Sequence, residues 1–119
     1  MNLRVESRAG KRYITSCSSK GIIREAKDIL DLLVCGSENE THLFLLEDGN
    51  FVAEFYDLRT GLAGEILQKC SNYRMKVAVV GPFEIVRNTS FREFMYESNK
   101  GSHVRFSTTK DEALSWLLQ

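Results

Sequence analysis

Two short apolar runs most constrain the fold of this chain. Residues 43–46 have the sequence LFLL and residues 77–80 have the sequence VAVV, without a polar side chain in either run. Strands that are covered on both faces have this continuous pattern, whereas strands with one solvated face alternate. A helical pattern follows each run, so the chain alternates strand and helix. We therefore predict an α/β fold in which parallel strands lie between layers of helices.

The N-terminal part of the chain has a different pattern. Residues 3–5 and residues 13–15 alternate apolar and polar side chains, and the stretch between them contains Gly10. Alternation on both sides of a glycine turn is typical of a β-hairpin. We therefore predict an N-terminal hairpin, then alternating helices and strands, and a mostly parallel sheet of about five strands.

The predicted helices are bounded by local signals. The first is predicted to begin after the capping residues Ser18 and Ser19 and to end at Gly36. The second begins near Thr60, and the last opens with the capping-box pattern of residues 109–112. The inward face of the first helix is predicted from its apolar residues, which are Ile22, Ile23, Ala26, Ile29, Leu30, Leu33 and Val34.

Composition limits the class of partner and the compartment. The 119 residues suit one domain, and 16 basic residues balance 16 acidic ones without a basic stripe. Nucleic-acid binding is not expected, because it depends on excess positive charge. Cys17, Cys35 and Cys70 are an odd, widely spaced set, which fits a reducing compartment better than a disulfide framework. Since no apolar stretch is long enough to span a membrane, we expect a cytoplasmic protein without membrane binding.

The candidate functional segment is the predicted strand-to-helix bend at residues 57–62, called the corner below. Its candidate binding residues are Asp57, Arg59, Thr60, Gly61 and Leu62. The first N–H groups of a helix have no partner within the helix, so they attract phosphate, carboxylate or a partner's acidic side chain. Thr60 is also a candidate phosphoacceptor, because a phosphate there would lie at a helix N-terminus. A plain capping role for Thr60 and Asp57 is the alternative, and it does not exclude regulation.

The loop before the corner is rich in aromatic residues, with Phe51, Phe55 and Tyr56 close together. If exposed, these side chains would form a patch for a protein partner or for a second copy of the chain, since Phe and Tyr are enriched at interface centres. If the loop forms a short helical turn, Phe51 and Phe55 would instead pack on the core. The sequence leaves both alternatives open.

Three stretches carry a family resemblance, namely residues 55–67 (FYDLRTGLAGEIL), 76–81 (KVAVVG) and 96–101 (YESNKG). The chain resembles bacterial domain-of-unknown-function family 4180 over essentially its whole length, which implies no particular activity. More distantly it is similar to the STAS domain of sulfate transporters and anti-sigma-factor antagonists. In that resemblance residues 60–62 occupy the Ser-Gly-Leu part of the family's corner, and Thr60 falls where the antagonists carry a phosphorylated serine. Asp57 is displaced by one residue from the family's aspartate.

No catalytic set of residues is apparent. His42 and His103 are isolated from other metal-binding residue types, and no nucleophile-elbow pattern is present. We therefore expect a non-catalytic regulatory or protein-interaction module of STAS-like architecture that uses the corner and needs no cofactor or metal. The alternative is a binder of a small anionic ligand, or a minor enzyme, in which Arg59, Thr60 and Gly61 hold the anion.

Overall fold

The five strands form one mixed sheet, and their spatial order is the order of the sequence. The computed structural model describes all residues, 1–119, as a single α/β domain. β1 and β2 pair antiparallel, and every other neighbouring pair is parallel. The predicted hairpin and mostly parallel sheet are therefore confirmed. The strands are β1 (Leu3–Arg8), β2 (Lys11–Ser16), β3 (Leu43–Glu47), β4 (Lys76–Val80) and β5 (Val104–Ser107).

Helices cover both faces of the sheet unequally. They are α1 (Asp28–Glu38), α2 (Leu62–Asn72), α3 (Thr89–Lys100) and α4 (Lys110–Leu117). Because the parallel strands follow in order, crossovers of one hand place α1, α2 and α3 on the same face. A core of 19 buried residues lies on that face, and a core of eight lies under α4. None of the four helices is long and apolar enough to cross a membrane.

The alternating side chains of the central strands fill the two cores. In β3, Phe44 and Leu46 belong to the larger core, whereas Leu43 and Leu45 belong to the smaller one. In β4 the neighbours Val77 and Ala78 divide in the same way. The continuous apolar runs therefore reflect burial on both faces, as predicted.

The first helix differs from the prediction at its start. α1 begins at Asp28, and the carboxylate of Asp28 accepts hydrogen bonds from the N–H groups of Arg24 and Glu25. Further upstream, Ile23 forms a parallel bridge with Phe51 and its N–H donates to the carbonyl of Asn50, and a turn at residues 25–27 leads into α1. These long-range bonds replace the helix that the local apolar periodicity predicted. Ser18 and Ser19 therefore do not cap it.

The end of α1 was also predicted wrongly. Gly36 lies inside the helix and is buried, since an added Cβ would approach the carbonyl oxygen of Thr41 to 2.5 Å and the ring of Phe44 to 2.8 Å. Gly36 is thus required for close packing of helix on strand rather than for termination. Leu30 and Val34, which were predicted on the inner face, are exposed.

The last helix begins as predicted and ends against two lysines. The hydroxyl of Thr109 accepts a hydrogen bond from the N–H of Glu112 at 3.2 Å, which confirms the capping residue of α4. The ammonium groups of Lys11 and Lys76 donate to the carbonyls of Leu118 and Trp116, at 2.7 and 2.8 Å. Cations stabilise a helix C-terminus, so these lysines hold α4 against the sheet.

Candidate functional site

Three short 3₁₀ turns connect β3 to α2: Asp48–Asn50, Ala53–Tyr56 and Leu58–Thr60. The first two lie in residues 47–56, called the inner segment below, and the third lies in the corner. Both stretches follow the C-terminal end of a central parallel strand, the edge at which α/β proteins commonly bind ligands. Their surroundings nevertheless differ, and the difference decides which residues can contact a partner.

Asn50 anchors the inner segment. Its side chain is fully buried, and its Oδ1 accepts from the hydroxyl of Ser16 at 2.9 Å and from the N–H of Glu47 at 2.8 Å. Its Nδ2 donates to the carbonyls of Ser18 and Lys20, at 2.8 and 3.0 Å. All four hydrogen-bonding positions of the amide are thus used. The sequence pattern did not predict this anchoring role, because the only local signal of Asn50 is its place in a turn after a buried strand.

The aromatic residues of the inner segment lie in the core, which corrects the docking-patch alternative. Phe55 is fully buried and Phe51 nearly so, with ring centroids 4.3 Å apart, and Phe55 also meets the ring of Phe91 on α3 at 6.0 Å. Phe55 is buried in the Ala53–Tyr56 turn and Phe51 at its bridge with Ile23, so these two rings do not form an exposed patch. Only Tyr56 remains partly accessible.

Tyr56 closes the inner segment with its hydroxyl. This hydroxyl donates to the carbonyl oxygen of Asp48, at the other end of the same loop. Burial, with a smaller effect from the nearby Asp48 carboxylate, raises the pKa of Tyr56 well above its ordinary value. The phenol is therefore a neutral structural hydrogen-bond donor at physiological pH.

The corner itself is exposed and turns sharply. Gly61 precedes α2 with φ of +76°, a left-handed conformation that favours glycine. The hydroxyl oxygen of Thr60 accepts from the N–H of Leu62 at 3.2 Å, which is a capping contact. The same hydroxyl lies 2.7 Å from the carbonyl of Glu54 and 2.8 Å from that of Asp57, and its single proton serves these two acceptors. Thr60 thus ties the corner to the inner segment.

Asp57 and Arg59 form a local ion pair. Arg59 donates from Nε to Asp57 Oδ1 at 3.0 Å and from Nη2 to Oδ2 at 2.9 Å, and its backbone N–H also donates to Oδ1. The hydrogen bonds from Arg59 lower the pKa of the Asp57 carboxyl, and the same pair raises the pKa of Arg59. The side chain of Arg59 is nevertheless 91% exposed, so it stays accessible to a partner. Two-point geometry makes the pair a preorganised, neutral surface feature.

Beyond the bend, the first turn of α2 has an exposed stretch of backbone. Gly64 is exposed, a Cβ added to it would meet no atom within 4 Å, and its N–H donates to no acceptor. Leu62, beside it, is half-buried against the larger core. An open cleft of about 430 Å³ separates the corner from the start of α3, between Arg59 and Tyr56 on one side and Asn88 and Ser90 on the other.

The arrangement supplies hydrogen-bond donors, a neutral ion pair and bare backbone. The hydroxyl of Thr60 faces backbone carbonyls, and no histidine or free carboxylate hydrogen-bonds to it. No group of three or more His, Cys, Asp or Glu side chains lies together as a metal site would require. The polar groups that the corner presents at the surface are therefore hydrogen-bonding groups and one ion pair.

Comparison with known proteins supports the family resemblance. The family model described as Domain of unknown function (DUF4180) matches residues 8–117, which run from the end of β1 to the end of α4. No curated protein and no solved structure matches the chain. The family match covers almost the whole fold, including the inner segment and the corner. This chain is therefore a member of the DUF4180 family.

Proposed function

We propose that the protein is a non-catalytic regulatory module of the cytoplasm that docks a protein partner on the corner. The observation that carries this proposal is the bare backbone at Gly64. In a helix interior, glycine costs about 0.5–1 kcal/mol relative to alanine. Gly64 lies in the first turn of α2, where neither close packing nor a left-handed conformation accounts for a glycine. A partner that approaches the main chain closely would account for it.

The charges of the corner favour a protein surface over a free anion. Arg59 is already bonded to Asp57, so the corner has no excess positive charge to attract phosphate or carboxylate from solution. A partner with both acidic and basic side chains can engage both members of the pair. The unpaired N–H of Gly64, at the positive end of the α2 dipole, would receive a carbonyl or carboxylate of that partner.

Phosphate control at Thr60 is part of the proposal. A phosphorylated Thr60 could not donate to the carbonyls of Glu54 and Asp57, and its charge of about −1.5 to −2 would lie near the Asp57 carboxylate. The second effect, the added negative charge beside Asp57, is the one that would exclude the partner. The STAS-like architecture proposed from the sequence is supported by the place of Thr60-Gly61 directly before a helix that follows a central strand.

A capture experiment with matched variants tests the docking surface. The full chain, immobilised, would be exposed to lysate of its own source as wild type, Gly64→Arg, Arg59→Glu and the control Glu97→Arg, which changes an exposed charge on α3. We expect at least one protein to be retained by wild type and control and lost with both Gly64→Arg and Arg59→Glu. Identical sets of bound proteins in all four would refute the corner as the docking surface.

Thr60→Asp and Thr60→Val separate regulation from simple capping. Both variants remove the hydroxyl proton, but only aspartate adds negative charge. Phosphate control predicts that the partner is lost with Thr60→Asp and kept with Thr60→Val. Equal retention by both variants would show that charge at this position does not control binding.

The cleft beside the corner favours one other function, the binding of a small anionic ligand. Arg59 together with Asn88 and Ser90 at the start of α3 presents polar groups across the opening. A thermal-shift screen with phosphates, nucleotides and carboxylates would detect such a ligand, because binding to the folded state raises the unfolding midpoint. A saturable rise that is abolished by Arg59→Ala would support this function, and an unchanged midpoint with every compound would reject it.

A further inference from the structure

The two edges of the sheet differ in whether the rest of the chain forms hydrogen bonds with their outward-facing backbone groups. At the β5 edge, side chains of α3 bond the carbonyl of Val104 and both the N–H and the carbonyl of Phe106. Ser98 donates to the carbonyl of Val104 at 2.6 Å, and the amide of Asn99 both donates to the carbonyl of Phe106 at 3.0 Å and accepts from its N–H at 2.8 Å. Asn99 thus occupies the position of another strand, and this edge is closed to further pairing.

The β1 edge is open. β1 pairs with β2 in the register Arg8 with Lys11, and the N–H of Cys17 donates to Asn2 at the far end. In an antiparallel ladder this makes the even-numbered residues the hydrogen-bonded ones, so Leu3, Val5 and Ser7 direct N–H and C=O away from β2. None of these groups is bonded elsewhere in the chain. Val5, in the middle, is a 40% exposed apolar residue.

We propose that β1 pairs antiparallel with β1 of a second copy, about a two-fold axis at Val5, to form a continuous sheet across a homodimer. In this register the N–H and C=O of Val5 bond those of the partner's Val5, and Leu3 bonds the partner's Ser7. The exposed Val5 side chains cover each other. Such a contact is isologous, so each copy supplies the same groups and no edge of β1 remains free.

Charge selects this register over its neighbours. Centred on Val5, the pairing puts Arg4 opposite the partner's Glu6 and Glu6 opposite the partner's Arg4. Moving the axis to residue 4 puts Arg4 opposite the partner's Arg4, and moving it to residue 6 puts Glu6 opposite the partner's Glu6. Cross-strand pairs of opposite charge stabilise a sheet and like pairs destabilise it, so of these three registers only the one centred on Val5 is favourable.

The two charged side chains of this register are already held together within β1. Arg4 and Glu6 lie on one face of β1 and form an ion pair of 2.9 Å within the strand, each side chain about half exposed. In the dimer the four charges alternate along the face. Charged residues on an edge strand usually prevent pairing with other chains. Here the same residues prevent mismatched pairing and permit self-pairing.

A charge-exchange series tests the dimer and its register together. Sedimentation equilibrium from micromolar to millimolar concentration would be measured for wild type, Arg4→Glu, Glu6→Arg, the double variant and the control Glu97→Arg. We expect wild type and control to dimerise alike, each single variant to raise the dissociation constant at least about tenfold, and the double variant to restore it. Mixing the two single variants should also restore association, since their edges are then complementary.

Each other outcome rejects the proposal. A wild type that stays monomeric at millimolar concentration excludes the dimer, and a dimer that is indifferent to the single variants uses another surface. Circular dichroism of every variant would verify that it is folded, and the mixing experiment would expose a single variant that had merely lost its structure. No residue of β1 belongs to the corner, so these results are independent of the partner capture.

Discussion

The inner segment and the corner are consecutive parts of one connection, yet they are held in different ways. The inner segment is fixed by groups from distant parts of the chain, because Asn50 bonds residues after β2 and Phe55 packs on α3. The corner is fixed by its own residues, since Asp57 bonds Arg59 and Thr60 bonds Leu62. The first stretch contributes to stability, whereas the second leaves its polar groups at the surface.

This difference explains how a small domain can keep an exposed bend in one shape. The corner needs a rigid base, because a flexible loop would pay the cost of ordering on binding. The inner segment supplies that base through buried rings and a saturated amide. Thr60 joins the two stretches through its bond to the carbonyl of Glu54. Substitutions in the inner segment should therefore lower the stability of the protein strongly, and substitutions in the corner should change recognition with little effect on stability.

The largest expected effect is that of Phe55→Ala. Phe55 is fully buried among four aromatic rings, so its truncation should lower the free energy of unfolding by about 3–5 kcal/mol through lost burial and a cavity. Urea denaturation measures this change. The matched control is Tyr96→Ala on the exposed face of α3, expected to change stability by less than about 1 kcal/mol. Equal losses in both variants would contradict the distinction between core and surface aromatics.

The second largest loss of stability is expected for Asn50→Ala. It removes one side chain that satisfies two backbone carbonyls, a backbone N–H and the hydroxyl of Ser16, and it leaves buried groups without partners. We expect a loss of at least about 2 kcal/mol in the free energy of unfolding. Asn72→Ala, at an exposed position of α2, is the control and should be nearly neutral. If Asn50→Ala were also neutral, the inner segment would not be anchored by this amide.

Alanine substitutions at Gly61 in the corner and at Gly64 in the first turn of α2 should change stability in opposite directions. Alanine at Gly61 must adopt φ near +76°, which costs about 1–2 kcal/mol, whereas alanine at Gly64 gains up to about 1 kcal/mol of helix propensity. Neither added methyl meets an atom within 4 Å, so the pair isolates backbone conformation from packing. The thermal unfolding midpoints of both variants, compared with that of wild type, give the sign of each change. A destabilising Gly64→Ala would mean that packing, and not a partner, explains that glycine.

The sequence predicts what depends on neighbouring residues. The glycine turn of the hairpin, the two apolar strands, the cap at Thr109 and the bend at Gly61 each follow from a few adjacent residues. The start of α1 does not, because the bonds from Ile22 and Ile23 to Asn50 join residues far apart in sequence and override a helical apolar pattern. The same limit applies to Gly36, which has the composition of a helix stop but is placed by contact with Phe44.

In the candidate site, too, features set by adjacent residues were predictable and features set by distant residues were not. The exposed bend with its capping hydroxyl was predictable from residues 57–62 alone. Whether Phe51 and Phe55 form a surface patch or a core was not, since the two arrangements have the same local sequence and differ only in the position of α3. Asn50 and the open β1 edge were missed for this reason too: each is defined by a partner, present or absent, that lies far along the chain.

Tyr56, at the end of the inner segment, and Asp57, at the start of the corner, should affect the pH dependence of stability in opposite ways. The contribution of Tyr56 to the free energy of unfolding is lost at alkaline pH, and that of Asp57 is lost at acid pH. Burial raises the pKa of Tyr56, so the folded state keeps a proton that the unfolded chain releases near pH 10. The stability that this residue contributes is complete below that pH and decreases as the pH rises above it. Burial likewise raises the pKa of Cys70 on α2 to about 12 from 9.0. In urea denaturation across pH, Tyr56→Phe should flatten the alkaline decline above pH 10, and Cys70→Ala should flatten it from about pH 9.

The smallest effect on stability is expected at Asp57, in the exposed corner. Hydrogen bonds from Arg59 lower its pKa below the ordinary 3.8, so the stability that the carboxylate contributes is present above that pH and is lost as the pH falls through the folded-state pKa. Because the pair is solvated, the loss should be slight and should shrink further in high salt. Asp57→Asn and Arg59→Ala should each remove it, leaving identical acid limbs in urea denaturation below pH 4. An acid limb in either variant as steep as in wild type would show that the ion pair contributes nothing to the stability of the fold.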